Sequence, residues 1–149
     1  MRTAAIALWV FILALATCLP SAAHDHTTGV IKERMDMMEA MARRMKAIRA
    51  RIDGRRDLAA IKTEAAAIAS STPHIVHLFP LGSTQRPTDA KAAVWKNWPD
   101  FERMAAALEA ESKKLANVEP RDIDALSAQF RAVSAACGAC HEKYRAKNQ

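Results

Sequence analysis

"CGACHEKYRAK", residues 137–147, decides how the rest of the chain is read. Two cysteines stand three apart, and His141 follows the second directly. Upstream, Ile123, Leu126, Phe130, Val133, Cys137, Cys140 and Tyr144 recur at steps of three and four, the spacing of one face of a helix. Both cysteines therefore belong to the inward stripe of a helix running from about Arg121 to Lys147. A thioredoxin-like dithiol wants its pair at a helix start, after a strand, and no strand precedes this one. A structural zinc site needs four ligands, and no second cysteine pair completes one. Covalent haem c accounts for all three residues: Cys137 and Cys140, one helical turn apart, form the thioethers, and His141 is the proximal iron ligand.

Working outward, helix breakers divide the remainder. A first helix is expected from about Thr28 to Ile52, closed by Asp53-Gly54, with Ile31, Met38, Met41, Met45, Ile48 and Ile52 along its apolar seam and Arg34 inside it. A second spans about Arg56 to Ala69, with Leu58, Ile61, Ala65 and Ile68 inward. Residues 70–88 carry Pro73, Pro80, Gly82 and Pro87 and cannot be one helix. Ile75, Val76, Leu78 and Phe79 make this crossover a segment that packs over something. The third helix is expected from the N-cap pair Thr88-Asp89 to about Ala116, with a kink or restart at Pro99 and an inner stripe of Val94, Trp98, Phe101, Ala105, Leu108 and Leu115. Four amphipathic helices without a strand signal predict an all-α, antiparallel four-helix bundle with covalently bound haem c.

The amino-terminal residues predict export. Arg2 precedes an apolar run from Ala4 to Leu19, Pro20 breaks it, and Ser21-Ala22-Ala23 offers small residues for cleavage after Ala23. The run is short for a membrane span and no basic cluster follows it, so residues 1–23 are read as a signal peptide, residues 24–149 as the bundle, and no membrane anchor is expected. Haem c is attached outside the bacterial cytoplasm, which makes the periplasm the expected location. Cys18 leaves with the leader, so the mature chain keeps one close cysteine pair, which staples nothing as a disulfide. The 149-residue chain carries a formal net charge of +6, and lacks the aromatic interleaving of a nucleic-acid surface. No catalytic constellation appears, so no enzyme is expected.

A haem motif in the last helix of a bundle resembles the cytochrome c-prime family, the class II c-type cytochromes. Besides Cys137 to His141 with Tyr144-Arg145 following, the family pattern is similar in "IKERMDMM" (Ile31 to Met38), "LFPLGS" (Leu78 to Ser83) and "AKAAVWKNWPDFERM" (Ala90 to Met104), together spanning the mature chain. Pro99 and Met35 depart from it, since many relatives lack that proline and place Gln after the helix-one arginine. The resemblance implies that helix one covers the distal face of the haem and that Met38 stands where relatives face the iron. It implies haem contacts for Met35 and Ser83 as well, with a turn serine as the plain reading of Ser83.

Two function classes then divide on one atom. Ligation by the Met38 thioether makes a six-coordinate electron carrier; packing without ligation leaves a five-coordinate haem that binds NO or CO. Arg34, an arginine in an apolar seam, needs a partner or an exit: haem propionates supply the first, snorkelling at the bundle end the second. Arg145 lies one turn after His141, beside a propionate, the imidazole or solvent. Phe79, Trp98, Phe101, Phe130 and Tyr144 either wall the haem or fill an ordinary core. Arg43, Arg44, Lys46, Arg49, Arg51, Arg55 and Arg56, with only Asp53 among them, form either a solvated helix end or a docking patch for an acidic redox partner protein. Relatives often form homodimers through their first two helices, so a homodimer is one expectation, against which the arginine-crowded helix-one surface argues at that face. His74 and His77 read as surface histidines. Cleavage after Ala23 exposes His24-Asp25-His26, whose amine, amides and third-position imidazole suit Cu(II) or Ni(II), against the plain reading of a frayed terminus.

Overall fold

In the computed structural model, which describes residues 29–147, α1 spans Val30–Gly54 and buries Ile31, Arg34, Met41, Ile48 and Ile52 along one side. Met38 and Met45, expected in the same seam, sit half-buried at its margin. The helix closes in a Schellman arrangement: Arg56 N–H donates to Arg51 C=O at 3.3 Å and Arg55 N–H to Ile52 C=O at 3.2 Å. Arg55 occupies the left-handed position of that closure, φ 47°, where glycine is usual.

The α2 helix, Ala60–Ser71, buries Ile61, Ala65, Ile68 and Ala69. It begins later than the expected Arg56, because Asp57 is also left-handed, φ 49°, and ends any continuous helical path. The crossover winds into two 3-10 turns, Thr72–His74 and Val76–Leu78, and folds Ile75, Leu78 and Phe79 into the core.

The expected third helix is two pieces, α3 (Ala93–Lys96) and α4 (Trp98–Ala116), separated at Asn97. The predicted restart has a physical cause: Pro99 has no N–H to donate, and it falls in the first turn of α4, where donors are free in any case. Thr88-Asp89 does not cap a helix. Asp89 and its neighbours instead run beside the chain's end, where Ala90 and Arg145 make an isolated antiparallel bridge. The last helix, α5 (Ile123–Tyr144), is capped by Asp122, whose carboxylate accepts from Ala125 N–H at 2.9 Å.

These helices form a square. The α2 helix packs on α1 and α4, α5 packs on α4 and α1, and α1 lies diagonally opposite α4. Fully buried Ile48, Ile61, Ile68, Leu115, Leu126 and Val133 hold its centre. Burying such side chains contributes roughly 1.5–3 kcal/mol each, and this burial does most to hold the four helices together. No strand occurs among the described residues, and no helix among them is long and apolar enough to cross a membrane. The leader, the cleavage point and His24-Asp25-His26 lie outside the described residues.

Candidate haem-binding site

Cys137 and Cys140 are free thiols one turn apart on α5, half-buried against the edge of the core, as their place in the apolar stripe requires. Gly138, Ala139 and His141, on the other side of the same turn, are exposed. At Gly138 even an added Cβ meets nothing within 4 Å, so this side of the turn is open. Burial, reinforced by the charges of Cys137 and Asp100, pushes the Cys140 thiol up to about 11, and burial also raises Cys137. Reactive dithiols show the opposite shift, so the pair is not built as a thiolate nucleophile. Although its side chain is exposed overall, partial desolvation of the ring and then the positive charge of Arg145 lower the pKa of His141, which favours the neutral imidazole that a metal requires. Two protonated thiols, a neutral imidazole and an open turn fit covalent attachment of haem c.

The turn that follows His141 is fastened on two sides. Asp100, in the first turn of α4, accepts from Tyr144 Oη at 2.6 Å, from Lys143 Nζ at 2.6 Å and from Arg103. These donors hold its carboxyl well below the usual carboxylate range. On the other side, Lys91 N–H donates to Tyr144 C=O and Lys91 Nζ to Glu142 C=O, each at 2.9 Å, while Ala146 N–H reaches Asp89 C=O at 2.7 Å. Arg145 is exposed and pairs with Asp89 at 3.3 Å. Nothing in the periodicity marks Asp100 or Asp89 as participants; their only signal was membership of, or adjacency to, the "AKAAVWKNWPDFERM" segment.

Across the bundle, Arg34 is 4% exposed, so its side chain does not snorkel. Its partners among the described residues are neutral. Nε and Nη2 donate to Leu78 C=O at 3.0 and 2.8 Å, Nη2 to Ser83 Oγ at 2.6 Å, and Nη1 to Thr88 Oγ1 at 2.6 Å. The guanidinium also lies 4.0 Å over the Phe79 ring. Five donors in a fixed fork allow this crowd of acceptors, which one ammonium group does not satisfy. Ser83 receives Arg34 and donates to Pro80 C=O at 2.8 Å, so it serves as a turn serine as well as an arginine partner.

Met38, one turn after Arg34, is half-buried with Met37 and Met45 at the core margin, while Met35 is 44% exposed. The aromatic residues make a packed row: Phe79 on Phe101 (centroids 4.8 Å apart), Phe101 edge-on to Tyr144 (5.3 Å, 87°), and Trp98 beside Phe101 (5.5 Å). Phe130 stands half-buried on α5, apart from that row. His74 and His77 are exposed, as expected. In the basic run, Arg43, Arg44, Arg49 and Arg51 pair with Glu39, Glu64, Asp53 and Asp57, so four of its seven cations already have acidic partners.

Comparison with known proteins agrees with this geometry. The family model described as Cytochrome C' matches residues 29–145. A cytochrome c-556 from Agrobacterium tumefaciens (strain II Chrys) is 32% identical over 121 residues, covering 80% of this chain and 98% of that protein. The solved cytochrome c' from Rhodopseudomonas palustris superposes with a TM-score of 0.75 at 30% identity, over 82% of this chain and 99% of the other. A nitric oxide complex of a cytochrome c prime variant from Alcaligenes xylosoxidans gives a TM-score of 0.71 at 26% identity, over 79% and 94% of the two chains. With the CxxCH turn on the last helix of a four-helix bundle, these matches establish that the chain belongs to the cytochrome c' family, whose members bind one covalent haem c.

Proposed function

We propose that this protein is an exported, periplasmic electron carrier whose haem is held by Cys137 and Cys140 and ligated by His141 and Met38. The observation that carries the reading is Met38 itself, half-buried at the core margin of α1, a helix that packs on α5. Bound haem c supplies a one-electron Fe(III)/Fe(II) couple, and a thioether ligand favours the ferrous state. The chain's own part is to hold the two ligand-bearing helices in register and to favour the neutral imidazole that a metal requires. Arg34 serves this role by tying α1 to the crossover one turn from Met38.

The second reading is a five-coordinate, gas-binding haem in which Met38 packs without ligating. It is favoured by the structural likeness to a cytochrome c prime variant solved with nitric oxide. Visible spectra of the purified holoprotein, oxidised and reduced, with and without CO, separate the two. Low-spin bands without CO response in the native protein, and a CO response gained in Met38→Ala, are expected for the carrier. High-spin bands that shift on adding CO to the native protein overturn it in favour of gas binding. The redox partner is proposed to be a protein with an acidic surface, given the chain's net charge of +6.

A further inference from the structure

The turn of α5 that carries Cys140 and His141 is followed at once by an unusual concentration of tertiary hydrogen bonds, and most of them on the α4 side converge on one carboxylate. Tyr144 is 3% exposed, and its hydroxyl meets Asp100 at 2.6 Å, with Asn97 C=O at 3.4 Å as a second acceptor. Lys143 reaches the same Asp100 oxygen at 2.6 Å, and Arg103 holds the other. The Tyr144 ring is locked edge-on against Phe101, one residue after Asp100. A buried tyrosine hydroxyl asks for one acceptor, and Lys143 and Arg103 on the same carboxylate go beyond that need. Moreover, the proximal turn has no comparable side-chain anchor of its own: His141 is exposed, and Gly138 and Ala139 offer no side-chain grip.

We propose that Asp100 is a positioning residue of the haem site, fixing the His141 turn through Tyr144 and Lys143 and bringing a carboxylate charge to the residues that follow it. The inference deepens the proposed function and rests on its assignment of His141 as the proximal ligand, not on that of Met38. The two effects of Asp100 are separable. Its hydrogen bond to Tyr144 sets orientation, and its charge acts through space on a redox centre, where an anion favours the ferric state. A purely structural ion pair on the surface has little of either effect.

The test uses purified holoprotein of native sequence, Asp100→Asn, Tyr144→Phe and His141→Ala, read by potentiometric titration and by EPR of the ferric form. Asp100→Asn is expected to raise the reduction potential and to change the ferric g-values. Tyr144→Phe, which keeps the charge, is expected to change the g-values with a smaller shift in potential. Native potential and native g-values in Asp100→Asn, with only the thermal midpoint lowered, overturn the proposal and leave Asp100 a fold contact. Should Asp100→Asn yield no folded holoprotein, native g-values in Tyr144→Phe overturn it equally. His141→Ala tests the underlying reading alone: a ferric spectrum unchanged from native removes His141 as ligand whatever the other variants do.

Discussion

Among the described residues, Arg34 is the one charged group folded into the core of the bundle, and its partners there are neutral oxygens and an aromatic face. Taking a guanidinium out of water is costly, so the chain must return most of its hydrogen bonds, and the acceptors at Leu78, Ser83 and Thr88 do so. The buried Leu78 C=O and Ser83 Oγ would in turn lose their arginine donor, while Thr88 Oγ1 would keep Ala90 N–H. Arg34→Met is therefore expected to destabilise the holoprotein by about 2–4 kcal/mol, measured by urea unfolding. Arg34→Lys should recover only part of this, since a single ammonium group cannot span the crossover as the fork does. The sequence showed that this arginine needed a partner. It did not show which, because the acceptors lie 44 to 54 residues away and only the folded crossover brings them to α1.

At the scale of elements, the helices end where backbone chemistry forces them to, and the end of α1 carries strain. Arg55 closes α1 in the left-handed region, which costs an ordinary L-residue roughly 1–2 kcal/mol that glycine does not pay. Arg55→Gly is expected to stabilise the protein by about 1 kcal/mol, with a thermal midpoint roughly 4 °C higher by calorimetry. Among the described residues Arg55 has no acidic partner to lose, unlike Arg51, which pairs with Asp57. The break between α3 and α4 was legible from Pro99, whose missing donor is a local property. The true start of that helix was not. Thr88 and Asp89 have the chemistry of a cap, but Arg34 and the chain's end claim them first.

For the whole molecule, the consequence of the Asp100 cluster is an acid-sensitive seam between α4 and α5. Asp100 is held below its unfolded pKa by Lys143, Tyr144 and Arg103, and Glu111 is lowered likewise by Lys114 and Gln129. A depressed carboxylate stabilises the fold fully above its unfolded pKa of about 3.9–4.3, and that contribution fades as the pH falls below it. Asp100→Asn is thus expected to lower stability at neutral pH and to flatten the acid limb of the stability curve, measured by urea midpoints from pH 7 downward. The native and variant curves should converge at the acid end. By itself, the sequence determined the cofactor, from a cysteine pair and histidine adjacent in the chain, and the four inward stripes, from steps of three and four. Both are local patterns that need no knowledge of distant residues. Only the tertiary structure decided what surrounds Arg34, that α1 stands diagonal to α4, and that Asp100 and Lys91 clamp the turn after His141. Those facts depend on which long-range neighbours the packed helices bring within hydrogen-bonding distance, and no spacing along the chain encodes that.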